Sequence, residues 1–232
     1  MKKIVAFMAI ALAAVSLASA KGIAVGVHGY LGEGWGSAYA DTDSQPQKPF
    51  GDNLYFGGGA YFSYGFKSAL AIQPEVNFRV NNIGSRSSTT IAGVTTTVTN
   101  KWTYNSVDIP VLLTYQYKKF NLLIGPYISI PVSGLSYTSA TTVANSPIQS
   151  LNGTTTGSGT VVDTLSGVTF GATVGLEYAM RMGPGRLVIG GRYFHDFNPV
   201  KYETTDGDGN KSTTNYFYRG AAEVTVGFQM AF

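Results

Sequence analysis

The chain contains no cysteine among its 232 residues. That excludes a disulfide framework, thiolate chemistry, and a lipid-bearing cysteine after a leader. Charge is also scarce: Asp, Glu, Lys and Arg make up 12% of the chain, about half the share of a soluble domain. Beyond the first twenty residues, no apolar run reaches the ~20 residues that a membrane-spanning helix needs. What the sequence does have is glycine, 29 residues, and tyrosine, 15 residues, with abundant Ser and Thr. Glycine, aromatic and hydroxyl residues without disulfides point to an all-β chain whose length fits one domain.

The N-terminus reads differently. "MKKIVAFMAIALAAVSLASA" begins with Lys2 and Lys3, runs apolar from Ile4 to Leu17, and ends on the small residues Ala18 and Ala20. This is the pattern of a secretory signal peptide cut after Ala20, and the apolar stretch is too short to span a bilayer. Residues 1–20 are therefore expected to be a leader and 21–232 the mature domain. Losing Lys2 and Lys3 brings the 16 basic residues close to the 13 acidic ones. A near-neutral mature chain offers no basic patch, so nucleic acid is not an expected partner.

"ALAIQPEVNFRVNN" (Ala69–Asn82) separates its residues by parity: Leu70, Ile72, Val76, Phe78 and Val80 against Gln73, Glu75, Asn77, Arg79 and Asn81. A strand sends successive side chains to opposite faces, so one face is apolar and the other charged. Seven further segments alternate in the same way. Among them, "SVDIPVLLTY" sets Val107, Ile109, Val111 and Leu113 opposite Ser106, Asp108 and Thr114. "TFGATVGLEY" opposes Phe170, Val174 and Leu176 to Glu177, and "AAEVTVGFQMAF" opposes Val224 and Val226 to Glu223. Eight segments are expected, with short turns near 65–68, 116–119 and 181–185. The other links, near 33–52, 82–102, 133–166 and 198–220, are long and polar. "TTIAGVTTTVTN" still alternates, which suggests a hairpin continuing beyond the membrane. An even strand number, tight turns on one side and long loops on the other match a transmembrane barrel of the outer membrane.

In a soluble sandwich the apolar face would point inward, and the outer face would carry many lysines and glutamates. Here the polar face is small and sparsely charged, as expected when it lines a barrel interior and the apolar face meets lipid. Lipid also demands closure, because an open edge leaves N–H and C=O groups unsatisfied. Parity then gathers Glu75, Arg79, Asp108, Glu177, Arg192 and Glu223 in an eight-stranded interior only wide enough for side chains. Tyr64, Phe66, Tyr115, Tyr117, Phe120, Tyr178, Tyr193 and Phe194 sit near strand ends, where interfacial girdles form. Pro74, Pro110 and Pro126 fall inside strands, where each removes a ladder donor, and local bulges are expected around them.

"SVDIPVLLTYQYKKFNLLIGPYISIP" (Ser106–Pro131) resembles the central hairpin of the bacterial outer-membrane β-barrel family called PorT-like or porin-family. "TFGATVGLEY" and "LVIGGRYFHDF", with Arg192, resemble that family's later hairpin. The likeness runs over essentially the whole mature chain and implies an OmpA-, OmpX- or OmpW-like small barrel in the outer membrane of a Gram-negative bacterium. Phe232, with Phe228 and Met230 on its face, looks like the terminal signal read by the barrel-assembly machinery. The resemblance also implies outer-membrane lipid and lipopolysaccharide as surroundings, and leaves an extracellular ligand of the long loops open.

No constellation argues for catalysis or a cofactor. His195 and Asp196 are strand neighbours and point apart, so they form no dyad. "DGDGN" (Asp206–Asn210) begins like a calcium loop, but Lys211 and the lack of a distal Glu make it a turn. The "NGT" at Asn152 is an incidental glycosylation match. Three function classes stay open: a surface or structural barrel with a largely plugged lumen, a passage for small and perhaps hydrophobic solutes, and a barrel enzyme. The charged interior favours the first, with no enzyme activity.

Overall fold

The computed structural model describes residues 22–38, 54–67, 69–162, 165–205 and 211–231. The leader expected over 1–20, the "DGDGN" turn and Phe232 lie outside them. The described chain is antiparallel β-sheet with one short 3-10 turn, Gln149–Leu151. Its strands are β1 (Ile23–Ala38), β2 (Leu54–Lys67), β3 (Leu70–Ile91), β4 (Val94–Tyr117), β5 (Phe120–Pro131) and β6 (Leu135–Ala144). They continue with β7 (Gly153–Val162), β8 (Leu165–Ser166), β9 (Thr169–Met182), β10 (Gly185–Asp196), β11 (Val200–Thr205) and β12 (Lys211–Ala231).

Eight of these form the ring β1-β2-β3-β4-β5-β9-β10-β12, and β12 pairs back onto β1. The closing ladder runs from Ala24↔Ala231 to Ala38↔Phe217. No wall strand is left with an open edge, as hydrocarbon surroundings require. The ring is the one that the period-two segments predict. Its outer face carries the apolar set, including Val27, Phe78, Leu122, Ile124, Leu176 and Val224, all exposed in the isolated chain. Near the tight turns, Phe66, Tyr115, Tyr117 and Phe120 also point outward, and Phe120 lies 5.2 Å from the Tyr178 ring. Amphipathic rings at that level suit a membrane interface.

Glycines on the inner face make room for large neighbours. A Cβ added to Gly26 would lie 2.2 Å from the Tyr61 ring, and one on Gly57 would meet the Phe78 carbonyl at 2.2 Å. Tyr61 and Tyr30 can thus lie flat against the wall of a narrow barrel.

Three expectations need correction. The prolines produce no bulges. Pairing skips Phe62–Ser63 against Gln73–Pro74, Glu75–Val76 against Ile109–Pro110, and Val111–Leu112 against Gly125–Pro126, and the register then resumes unchanged. Each missing N–H opens one ladder by two pairs on a single side, which the flanking pairs tolerate. Phe194 is not in a girdle: it is 3% exposed and points inward. The long links are not simply loops. β3 and β4 run on to a turn at Ala92–Gly93, as the alternation there suggests, but β6 joins that extension and β7 pairs with β6. β11 pairs with β12 and β8. A sheet therefore rises from the wall on the side opposite the tight turns.

Candidate functional site: the barrel interior

Inward parity on all eight wall strands brings polar side chains to the barrel axis, where the structure sets them in three tiers. Nearest the tight turns, Arg192 of β10 holds Glu75 of β3 with two hydrogen bonds, Nη1 to Oε2 at 2.7 Å and Nη2 to Oε1 at 3.0 Å. Its Nη2 also reaches Glu177 of β9 at 2.7 Å. Gln73 and Asn77 donate to Glu75 from the same strand. His28 of β1 bonds Asn77 at 2.9 Å and lies 4.0 Å from Glu75.

In the middle tier, Arg79 of β3 pairs with Asp108 of β4 at 3.1 Å and Glu223 of β12 at 3.2 Å. Tyr55 donates to the same Glu223 oxygen. The Arg79 guanidinium lies 3.9 Å from the Phe194 ring centroid and 4.8 Å from that of Tyr55. In the outer tier, Arg219 of β12 pairs with Asp196 of β10 at 3.4 Å and comes within 3.8 Å of Asp108. It donates to Asn81 and to the Tyr104 hydroxyl, and Tyr127 donates to Asp196. Phe194 thus lies between two guanidiniums, its centroid 5.2 Å from Arg219.

These groups are buried: Glu75 is 1% exposed, Arg192 6% and Arg219 5%. A charge in such a place is tolerated only when paired and hydrogen-bonded. Each guanidinium spans two carboxylates from different strands, so the set ties the wall together across its diameter. The space between tiers is small. A cavity of about 20 Å³ lies among Arg79, Asp108, Tyr127, Arg192, Phe194 and Glu223, room for about one water. Towards the tight turns the interior widens to a vestibule of about 320 Å³ lined largely by uncharged groups such as Gln73, Thr114, Gln116 and Asn121, with Arg186 as its one charged side chain among the described residues. At the other mouth, Leu135, Leu165 and Val200 pack over Tyr104, with Ile83 and Trp102 beside them.

All six residues that parity selects, Glu75, Arg79, Asp108, Glu177, Arg192 and Glu223, face the interior, and the structure brings them into contact as two of the three tiers. The third tier was missed. Arg219 belongs to a stretch that reads as loop, yet it shares parity with Glu223 four residues on. Asp196 shares parity with Arg192 and is fully buried, while its neighbour His195 points outward. Phe228 and Met230 lie on the outer side of β12, Met230 exposed.

A closed antiparallel ring with an apolar outside and a buried polar axis defines a transmembrane barrel. The sequence profile of the outer membrane protein beta-barrel domain family matches residues 19–202. The chain belongs to that family, and its place is the outer membrane of a Gram-negative bacterium. Solved structures similar to it include Ail, the attachment invasion locus protein of Yersinia pestis, at 9% identity over 91% of this chain and 100% of that one, TM-score 0.37. Neisserial surface protein A is 12% identical over 91% and 98%, TM-score 0.38. OprG of Pseudomonas aeruginosa is 9% identical over 91% and 97%, TM-score 0.40. Likenesses of this size carry no function across. No curated protein matches the chain by sequence.

Proposed function

We propose that this outer-membrane barrel is a closed, non-enzymatic surface protein that acts through the sheet and loops it displays outside the cell. One observation carries the reading: three buried arginines, each held between carboxylates of different strands, fill the axis, and the cavity beside Arg79 and Arg192 is about 20 Å³. A hydrated solute cannot pass such an axis without breaking buried ion pairs, each break costing about 3–5 kcal/mol. Catalysis finds no support there either, since His28 is engaged with Asn77 and lies beside Glu75. The interior therefore serves to stiffen the barrel, and interaction is left to the outside. Residues 1–20 direct export, and the terminal face of Phe228, Met230 and Phe232 serves recognition by the assembly machinery. Lipid and lipopolysaccharide surround the wall.

Liposome swelling tests the closed axis. Vesicles carrying the refolded protein should swell in isotonic arabinose no faster than empty vesicles. Swelling that scales with protein content would overturn the reading.

A further inference from the structure

We propose that β7 is a docking edge for a second copy of this chain displayed on a facing membrane. This rests on the reading of the barrel as a surface protein. The displayed sheet has the order β3-β4-β6-β7, and among the described residues β7 pairs with β6 alone. Among the described residues no strand is hydrogen-bonded to its other side, although β11 comes near β7; an edge strand of this kind is a template for one more strand. Edges of this kind are ordinarily blunted by lysine, proline or a bulge. Over Gly153–Thr160 the pairing with β6 is regular and every residue is exposed. The segment reads "GTTTGSGT", with no charge and no proline. No charged residue occurs between Lys119 and Asp163, so two copies meet without repulsion along this hairpin.

The pattern of β7 favours its own copy over a foreign strand. Thr154, Thr156, Ser158 and Thr160 share one face. When two β7 strands pair antiparallel about Gly157, Thr154 comes opposite the second copy's Thr160, and Thr156 opposite its Ser158. Every hydroxyl on that face then meets a hydroxyl. The sheet already uses this contact, in Ser88–Thr97 at 3.0 Å, Thr90–Thr95 at 2.9 Å and Thr142–Thr154 at 2.9 Å. On the other face Thr155 meets Gly159 and Gly157 meets itself, so nothing bulky collides. Cross-strand hydroxyl pairs are a recognised source of sheet stability.

The direction of pairing sets the geometry of the partner. β7 is antiparallel to β6, and β6 to the part of β4 that continues into the barrel wall. A two-fold axis that makes two β7 strands antiparallel reverses that wall strand, and with it the whole barrel. The second copy therefore points the opposite way, from an opposing membrane. Such an interface is isologous and closes as a dimer.

Gly157 supplies the test. A Cβ there meets nothing within 4 Å, and the chain has no cysteine of its own. Gly157→Cys places two thiols directly opposite across the two-fold axis, at a Cα separation suited to a disulfide. The variant is refolded into two vesicle populations carrying different dyes, which are mixed under mild oxidation. The expected result is a disulfide dimer on a non-reducing gel together with mixed-colour clusters. Ala92→Cys, on the neighbouring hairpin turn, should give far less dimer. Adding Thr156→Lys and Ser158→Lys to Gly157→Cys puts lysines opposite each other and should lower dimer yield roughly tenfold, with heat-modifiable gel migration retained. Dimer without mixed clusters would overturn the facing-membrane geometry. No dimer from a heat-modifiable barrel would overturn self-docking, as a foreign strand or no partner at all requires. Swelling of the same vesicles in arabinose would count against the closed axis alone and leave the edge result standing.

Discussion

Removing the guanidinium of Arg192 is the sharpest perturbation of the interior. It makes three charged hydrogen bonds, two to Glu75 and one to Glu177, at a site 6% exposed. Arg192→Ala leaves both carboxylates in place. Glu75 keeps the amides of Gln73 and Asn77, so it is partly compensated, while Glu177 loses its guanidinium. Breaking a buried pair by deleting one partner costs about 3–5 kcal/mol. With a urea slope of about 2 kcal/mol/M, the midpoint should fall by about 2 M. Unfolding in detergent micelles, followed by far-UV circular dichroism, reads this directly. Arg192→Met combined with Glu75→Gln and Glu177→Gln removes the stranded charges and should recover much of the loss, since neutral replacements of buried ion pairs are often tolerated. Val224→Leu, on the lipid face, should leave the midpoint unchanged. If Arg192→Ala unfolds at the wild-type midpoint, the bonds drawn between β10, β3 and β9 do not hold the barrel.

Three further outcomes follow from the same geometry. Phe194→Ala removes a ring that lies between Arg79 and Arg219 and packs edge-on against Tyr55 and Tyr127; the cost should be about 3–5 kcal/mol, read in the same urea titration. Gly57→Ala forces a Cβ against the Phe78 carbonyl, a backbone atom that no rotamer change moves, and should destabilise by about 1–3 kcal/mol, whereas Gly157→Ala, with open space around it, should be neutral. Deleting Phe228–Phe232 removes the outer-face pattern at the end of β12 and should lower the outer-membrane level of the protein on fractionation.

The wall was readable because its two solvents differ. Lipid outside and packed polar groups inside make every wall strand alternate, and that alternation alone places Glu75, Arg79, Asp108, Glu177, Arg192 and Glu223 on one side. Which acid meets which arginine was not readable, since Arg192 and Glu75 are 117 positions apart and meet only once the ring has closed and its register is set. Phe194 stands close to a strand end, as girdle rings do, but its shared parity with Arg192 turns it inward. β6 and β7 are hidden in the sequence for a different reason. Both faces of the displayed sheet meet water, so Thr, Ser and Gly serve either side and the period of two fades. The same indifference hides Arg219 in a segment without clear alternation, although its step to Glu223 has the parity of an inward pair.

Single-channel recording tests the closed axis most directly. Refolded protein in a planar bilayer at 1 M salt, a concentration used only to enlarge any current, about 3 Å in screening length, should show a flat baseline with no unitary steps. Arg192→Ala, which strands two carboxylates and draws water in to solvate them, should show leak events against that baseline. Stable, uniform conductance steps from the wild-type chain would contradict a plugged interior and make the barrel a channel.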